Sequence, residues 1–159
     1  MPAIWTPPLT WTADQLVTAG QLNQQIRDNL DFLRTPPLTR FTDTLSGSTT
    51  SETFVDAHPS LRRSLTTQGG RVLVAASGTP RNEYAGNNRA DFRLYHDTLG
   101  TLSQIQVYFD IQYARAGVCL VALTPALTPG LHEFRVQWLT PPGRIMSLWG
   151  VWSMFAMEI

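Results

Sequence analysis

Three histidines, one cysteine and a loop rich in amide and guanidinium groups are the residues of this chain whose types could carry chemistry. His58 stands before Pro59, His96 beside Asp97 and His132 beside Glu133. None has the His-x-His, His-x-x-x-His or Cys-x-x-Cys spacing that brings ligands together on a metal. Adjacent side chains on a strand leave opposite faces, so His132 and Glu133 cannot meet as an acid–base pair. The chain has no phosphate-cradling glycine loop, dinucleotide fingerprint or nucleophile elbow. Glu83, Asp91 and Asp97 lack the spacing of a calcium loop. The residues therefore predict no catalytic group, no metal and no cofactor. Cys119 sits in the apolar run Val118-Cys119-Leu120-Val121 and is expected to be a small buried hydrophobe.

The loop Thr79 to Arg89, TPRNEYAGNNR, has the most binding character. Tyr84 offers a stacking ring, Asn82, Asn87 and Asn88 offer amides, and Arg81 and Arg89 offer planar donors, the chemistry of sugar and peptide recognition. Arg81, Asn82, Tyr84, Asn87 and Asn88 are the candidate receptor contacts. Turn-forming loops carry Asn and Gly for backbone reasons as well.

The elements that must position such a loop change character along the chain. Residues 1–11, MPAIWTPPLTW, hold three prolines and cannot be regular helix. They predict an extended arm whose Trp5 and Trp11 lie against a neighbouring surface or the chain's own body. Thr18-Ala19-Gly20-Gln21 has the form of a capping box, and a helix is expected from Ala19 to Arg34, stopped by Pro36-Pro37. Leu22, Ile26, Leu30 and Leu33 form its narrow apolar seam, which must pack on the body of the chain or on copies of itself. Asn29 falls on the same seam as Ile26 and Leu33 as a register-setting polar residue, and Arg27 with Asp31 forms an i,i+4 pair.

From residue 38 the periodicity becomes alternating. Ile105 to Tyr113 and His132 to Trp138 read as strands with one wet face, and Thr53 to Asp56, Arg71 to Ser77, Asp91 to Tyr95 and Val118 to Thr124 as further strands. Six to eight strands without an intervening helix predict an antiparallel β-sandwich or jelly roll over residues 38–159, preceded by the arm and helix of 1–37. In the last strand, Leu148, Trp152 and Met154 point to one face and Trp149, Val151, Phe155, Met157 and Ile159 to the other. With both faces apolar, one fills the core. The other, through Trp149, Val151, Phe155 and Met157, is expected to meet a neighbouring subunit.

Twelve arginines balance twelve acids, there is no lysine, and only 15% of residues are charged, against about 25% in ordinary soluble domains. Zero net charge argues against nucleic acid and anionic membrane as partners. No apolar run of about 20 residues and no signal-peptide pattern is present, so neither membrane insertion nor signal-directed secretion is expected.

The stretch Trp11 to Leu33, with Trp11, Val17-Thr18-Ala19, Leu22-Asn23 and Ile26-Arg27-Asp28-Asn29-Leu30, resembles a segment near the N-terminus of many tailed-bacteriophage and prophage virion proteins. The remainder, ending in PGLHEFRVQW and MFAMEI, is similar in pattern to trimeric jelly rolls of the C1q and tumour-necrosis-factor type, without any collagen repeat. Together these likenesses imply a non-enzymatic virion structural protein of the tail-fibre or capsid-decoration type. It would be a homotrimer, made in the host cytoplasm, held to other capsid or tail proteins through the arm and open to contact with a host surface glycan or protein. A free carbohydrate-binding module on the same sandwich is the alternative.

Overall fold

The helix begins where the capping sequence places it. In the computed structural model, which describes residues 6–159, the Thr18 hydroxyl accepts from the Gln21 N–H at 3.2 Å, and the Gln21 side chain accepts from the Thr18 N–H at 2.9 Å. Helix α1 then spans 19–34, α-helical at Ala19–Leu22 and Asn29–Arg34 and π-helical across Asn23–Asp28. The Arg27–Asp31 pair does not form. Arg27 lies in the π-helical turn, and its Nε binds the adjacent Asp28 at 2.8 Å, an exposed contact of small energetic consequence.

Asn29 takes a different role from the one its spacing suggests. It is only 6% exposed, and its side-chain amide grips the arm: Oδ1 accepts from the Thr6 N–H and Nδ2 donates to the Thr6 carbonyl, both at 2.9 Å. One turn earlier, Gln25 accepts from the Leu9 N–H at 2.8 Å and donates to the Pro7 carbonyl at 3.2 Å. Two amides four residues apart share a helix face and here replace the strand that an extended segment lacks. Residues 6–9 thus lie antiparallel along α1 of their own chain. Trp11 remains partly exposed, and Trp5 lies outside the described residues.

Ten strands follow: β1 (Leu38–Thr44), β2 (Gly47–Thr49), β3 (Val55–Asp56), β4 (Arg62–Thr67), β5 (Val72–Asn82), β6 (Asn88–His96), β7 (Gly100–Phe109), β8 (Val118–Leu123), β9 (Gly130–Leu139) and β10 (Met146–Glu158). One five-stranded sheet has the order β1-β10-β5-β8, with β2 also on β10. The other has β3-β9-β6-β7, with β4 also on β9. All the pairings are antiparallel, and the fold is the jelly-roll sandwich that the alternation predicts. The unpredicted strands, β1, β2 and β4, are Thr- and Ser-rich and lie at sheet margins, where weak apolar alternation suffices. Ile111 and Tyr113 fall beyond the end of β7, because the chain turns at Asp110 and Tyr113 adopts φ 61°.

Alternation divides each strand between the core and an outer face. Phe92 of β6 meets Trp138 of β9 and Trp152 of β10, each at 6.0 Å between ring centroids. Val72, Val74, Leu94, Phe134, Val136 and Met154 fill the space around them. Each such side chain contributes about 1.5–3 kcal/mol by leaving water, which is ample for a core without a disulfide.

Candidate functional site

Strand register converts the sequence into rows across the outer face of the β1-β10-β5-β8 sheet. One row reads Leu38, Met157, Leu73, Leu123; the next reads Arg40, Phe155, Ala75, Val121; the third reads Thr42, Ser153, Ser77, Cys119. Val151 and Trp149 extend the surface toward the other end of β10. Val151 is 58% exposed, Val121 55% and Leu38 50%, while Phe155 and Met157 are half-buried. Cys119 is exposed on this face rather than buried. Strand β8, like the others of this sheet, is covered by the second sheet on one face alone, so Val118 and Leu120 take the core and Cys119, Val121 and Leu123 face outward.

The second sheet is built oppositely. Its outer face carries Asp56, Gln137, Arg93 and Gln104 in one row and Arg62, Arg135 and Tyr95 in another. Arg135 binds Glu133 at 2.8 Å, Arg62 binds Asp56 at 2.9 Å, and Arg93 stacks on Phe54 at 3.9 Å. The rows of this sheet are charged and amide-bearing, whereas those of the first are mainly apolar in two and hydroxyl-bearing in the third.

Guanidinium groups flank the ring at the rim of the apolar face. Arg81 lies 4.1 Å from the Trp149 ring and Arg115 4.6 Å from it, with Tyr113 5.5 Å from Arg81. Arg81 Nε donates to Glu83 at 2.7 Å, and the Ser147 hydroxyl donates to the same carboxylate at 2.5 Å. Burial pushes the Glu83 carboxyl upward, but the bonds from Ser147 and Arg81 together hold it below its ordinary value.

The candidate receptor loop is largely committed to its own architecture. Asn82 is fully buried, and its Nδ2 lies within 2.9–3.1 Å of the carbonyls of Tyr84, Gly86 and Ile111. Its Oδ1 accepts from the Tyr84 N–H and from the buried Asn88 amide. Asn82 and Asn88 therefore shape the loop and do not reach its surface, a correction to their expected role as contacts. Tyr84 is covered by Arg144 at 3.8 Å, and Arg144 donates to the Asn87 carbonyl at 2.7 Å. Asn87 is the exposed member of the five. On α1, Leu22, Ile26, Leu30 and Leu33 are all exposed, so the seam has no partner within the described residues.

Histidines that the sequence separates meet in space. Strand β6 ends beside β9, with His96 opposite Phe134, and this brings His96 Nε2 to 3.2 Å from His132 Nδ1 with the rings stacked at 5.2 Å. Sequence spacing held no signal for this pair, because a 36-residue separation is closed by strand pairing. With Asp97 the two rings place three ligand-type atoms within 4.8 Å of one another. A metal on His96 Nε2 would require a proton on Nδ1, which would displace the Leu99 N–H at 3.1 Å and the Thr98 N–H at 3.3 Å and leave the Thr98 hydroxyl at 3.1 Å as its acceptor. The trio is a hydrogen-bonded pair with a carboxylate beside it and is poorly suited to a metal.

No family model and no curated protein sequence matches the chain. Among solved structures, the infectious bursal disease virus VP2 subviral particle aligns with a TM-score of 0.51 at 10% identity, covering 78% of this chain and 33% of that one. An infectious bursal virus-derived T=1 particle aligns with 0.51 at 10% identity, covering 96% and 36%. The Eiger TNF of S. frugiperda is 12% identical over 78% of this chain and 93% of that one, with a TM-score of 0.42. The chain spans about a third of the length of the viral chains it matches. At such identities the likeness is one of fold, a jelly-roll sandwich of the kind found in viral particle proteins.

Proposed function

We propose that the chain is a non-enzymatic structural protein of a bacteriophage virion, a homotrimeric fibre, decoration or tail component. Residues 1–37 hold it to neighbouring capsid or tail proteins, and the sandwich of 38–159 projects outward, open to contact with a host glycan or protein. The observation that carries this reading is the asymmetry of the two outer faces. Leu38, Val121, Leu123, Trp149 and Val151 are all exposed on one outer face of the isolated chain, on either side of the Thr42, Ser153, Ser77 and Cys119 row, and soluble monomers rarely leave large apolar patches uncovered. A second copy of the chain is the occupant we assign to it.

Threefold symmetry accounts for two unpartnered surfaces at once. A closed cyclic assembly gathers copies about one axis, so the α1 seam and the sheet face can be covered together. Zero net charge keeps nucleic acid and anionic membrane outside the reading. No helix among the described residues is long and apolar enough to cross a membrane. The lectin-like alternative needs an exposed ring platform; Tyr84 under Arg144 does not offer one, whereas Tyr108 and Tyr113 are exposed.

The test is the absolute mass of the purified chain by light scattering or native mass spectrometry. Three times 17.8 kDa is expected. A monomer at micromolar concentration overturns the assembly and with it the virion projection.

A further inference from the structure

His96 and His132 form a closed chain of hydrogen bonds that tolerates one arrangement of protons. The Thr128 carbonyl, 2.8 Å from His132 Nε2, can accept only, so that nitrogen carries hydrogen and His132 Nδ1 presents a lone pair. At the other end His96 Nδ1 accepts from the Leu99 and Thr98 N–H groups, so the hydrogen of His96 sits on Nε2 and points at His132 Nδ1. Every ring nitrogen is used, and the chain runs from the β6–β7 turn through both rings to the loop before β9.

We propose that this pair is an acid-sensitive fastener: uptake of one proton breaks the chain and releases the 96–100 turn from the 124–130 loop at that end of the sandwich. An added proton has two places to go. On His132 Nδ1 it would face the Nε2 hydrogen of His96 across 3.2 Å. On His96 Nδ1 it would displace the Leu99 and Thr98 N–H groups and leave the Thr98 hydroxyl, 3.1 Å away, as its acceptor. In the first position a donor meets a donor and in the second the Leu99 N–H loses its acceptor, and the new charge sits on a pair that is nearly or wholly buried. Burial accordingly holds His96 below the ordinary histidine value, against the pull of Asp97.

The charged surroundings set how far release proceeds. Asp97 Oδ1 is 3.2 Å from His96 Nε2 and half-exposed, so it can take over that hydrogen when His132 lets it go. On β9 the carboxylate of Glu133 is held by Arg135 and Arg62. On β4 Arg63 stands opposite Phe134 and stacks on Phe41 of β1. On β10 Glu158 is occupied by the Gln68 and Gly70 N–H groups. The adjoining part of β7, Gly100 and Thr101, and the Thr128 side of the loop bring no ionisable group. Among the described residues Asp97, whose Oδ1 also accepts from the Thr98 N–H at 3.1 Å, is the carboxylate placed to compensate, and it favours a rearranged pair over simple protonation in place.

Imidazole nitrogen NMR on the full-length protein tests this directly. At neutral pH His96 should show the Nε2–H form. On acidification its change of state should coincide with loss of exchange protection at the Leu99 amide. Titration of His96 at or above 6.5, or proton uptake with Leu99 still protected, overturns the proposal. His132→Asn keeps an acceptor for His96 but removes the second ring, one of the causes that hold His96 down, and should raise the pH at which Leu99 is released. His58→Gln, at a site remote in sequence and hydrogen-bonded to Ser60, should leave that pH unchanged. If His132→Asn does not fold, the wild-type titration still decides.

Discussion

The indole of Trp152 lies directly over the α-carbon of Gly78, so close that a Cβ at position 78 would fall 2.0 Å from Trp152 Cδ2. Strand β10 bulges against β5 here, with the register shifting between Trp149 and Ser153. Glycine is thus required by space, since Trp152 is fully buried among core residues and cannot withdraw. Gly78→Ala should destabilise the sandwich by about 3 kcal/mol, the upper range for overpacking, measured by denaturant unfolding. Gly47→Ala, where a Cβ meets nothing within 4 Å, should be close to neutral. Equal effects of the two would remove the steric account.

Asn29 serves the arm, and removing its amide should show this locally. Asn29→Ala deletes the acceptor for the Thr6 N–H and the donor to the Thr6 carbonyl, bonds of about 1 kcal/mol each in net terms. Hydrogen exchange at Thr6 and Leu9 should accelerate while the amides of β5 and β10 remain protected. Unchanged exchange at Thr6 would show that the arm does not depend on this clamp.

Legibility of the sequence followed the range of the physics involved. The capping box, the proline stop and the two faces of β10 depend on residues within a few positions, and the helix bounds and the inward Leu148, Trp152 and Met154 appear as expected. Cys119 failed because an apolar run does not reveal which of its alternate residues face the outside of the sandwich, where its row neighbour Ser77 on the interior strand β5 is exposed as well. Asn29 failed because seam geometry is blind to an arm twenty-three residues upstream. His96 with His132, and Arg81 with Trp149, become neighbours through strand pairing, which no local pattern encodes.

Charge placed on the apolar face should act on assembly before it acts on folding. Val151→Arg and Val121→Arg put a cation on rows already exposed in the single chain, so the sandwich core is untouched. Desolvating that cation at the proposed subunit interface costs several kcal/mol, enough to move the proposed trimer to monomer at micromolar concentration. Gln104→Arg on the outer face of the other sheet serves as the control and should leave the mass unchanged. A trimer that survives both valine substitutions would remove this face from the interface.

Acid should weaken the fold in two separate steps whose signs follow from Glu83 and His96. Both groups are depressed in the folded protein, so in each case the unfolded chain binds more protons at intermediate pH and stability rises with pH. His96 contributes fully above 6.5 and loses its contribution as pH falls from there through its lower folded value. Glu83 contributes fully above 4.5 and loses it further into acid. Thermal melts between about pH 8 and pH 3 should therefore show a plateau, a first decline and then a second. Ser147→Ala removes the hydroxyl that donates to Glu83 and should shrink the second decline while sparing the first. A melt profile flat down to about pH 5 would exclude the histidine step, and an unchanged acid limb in Ser147→Ala would show that the hydroxyl does not hold the Glu83 carboxyl down.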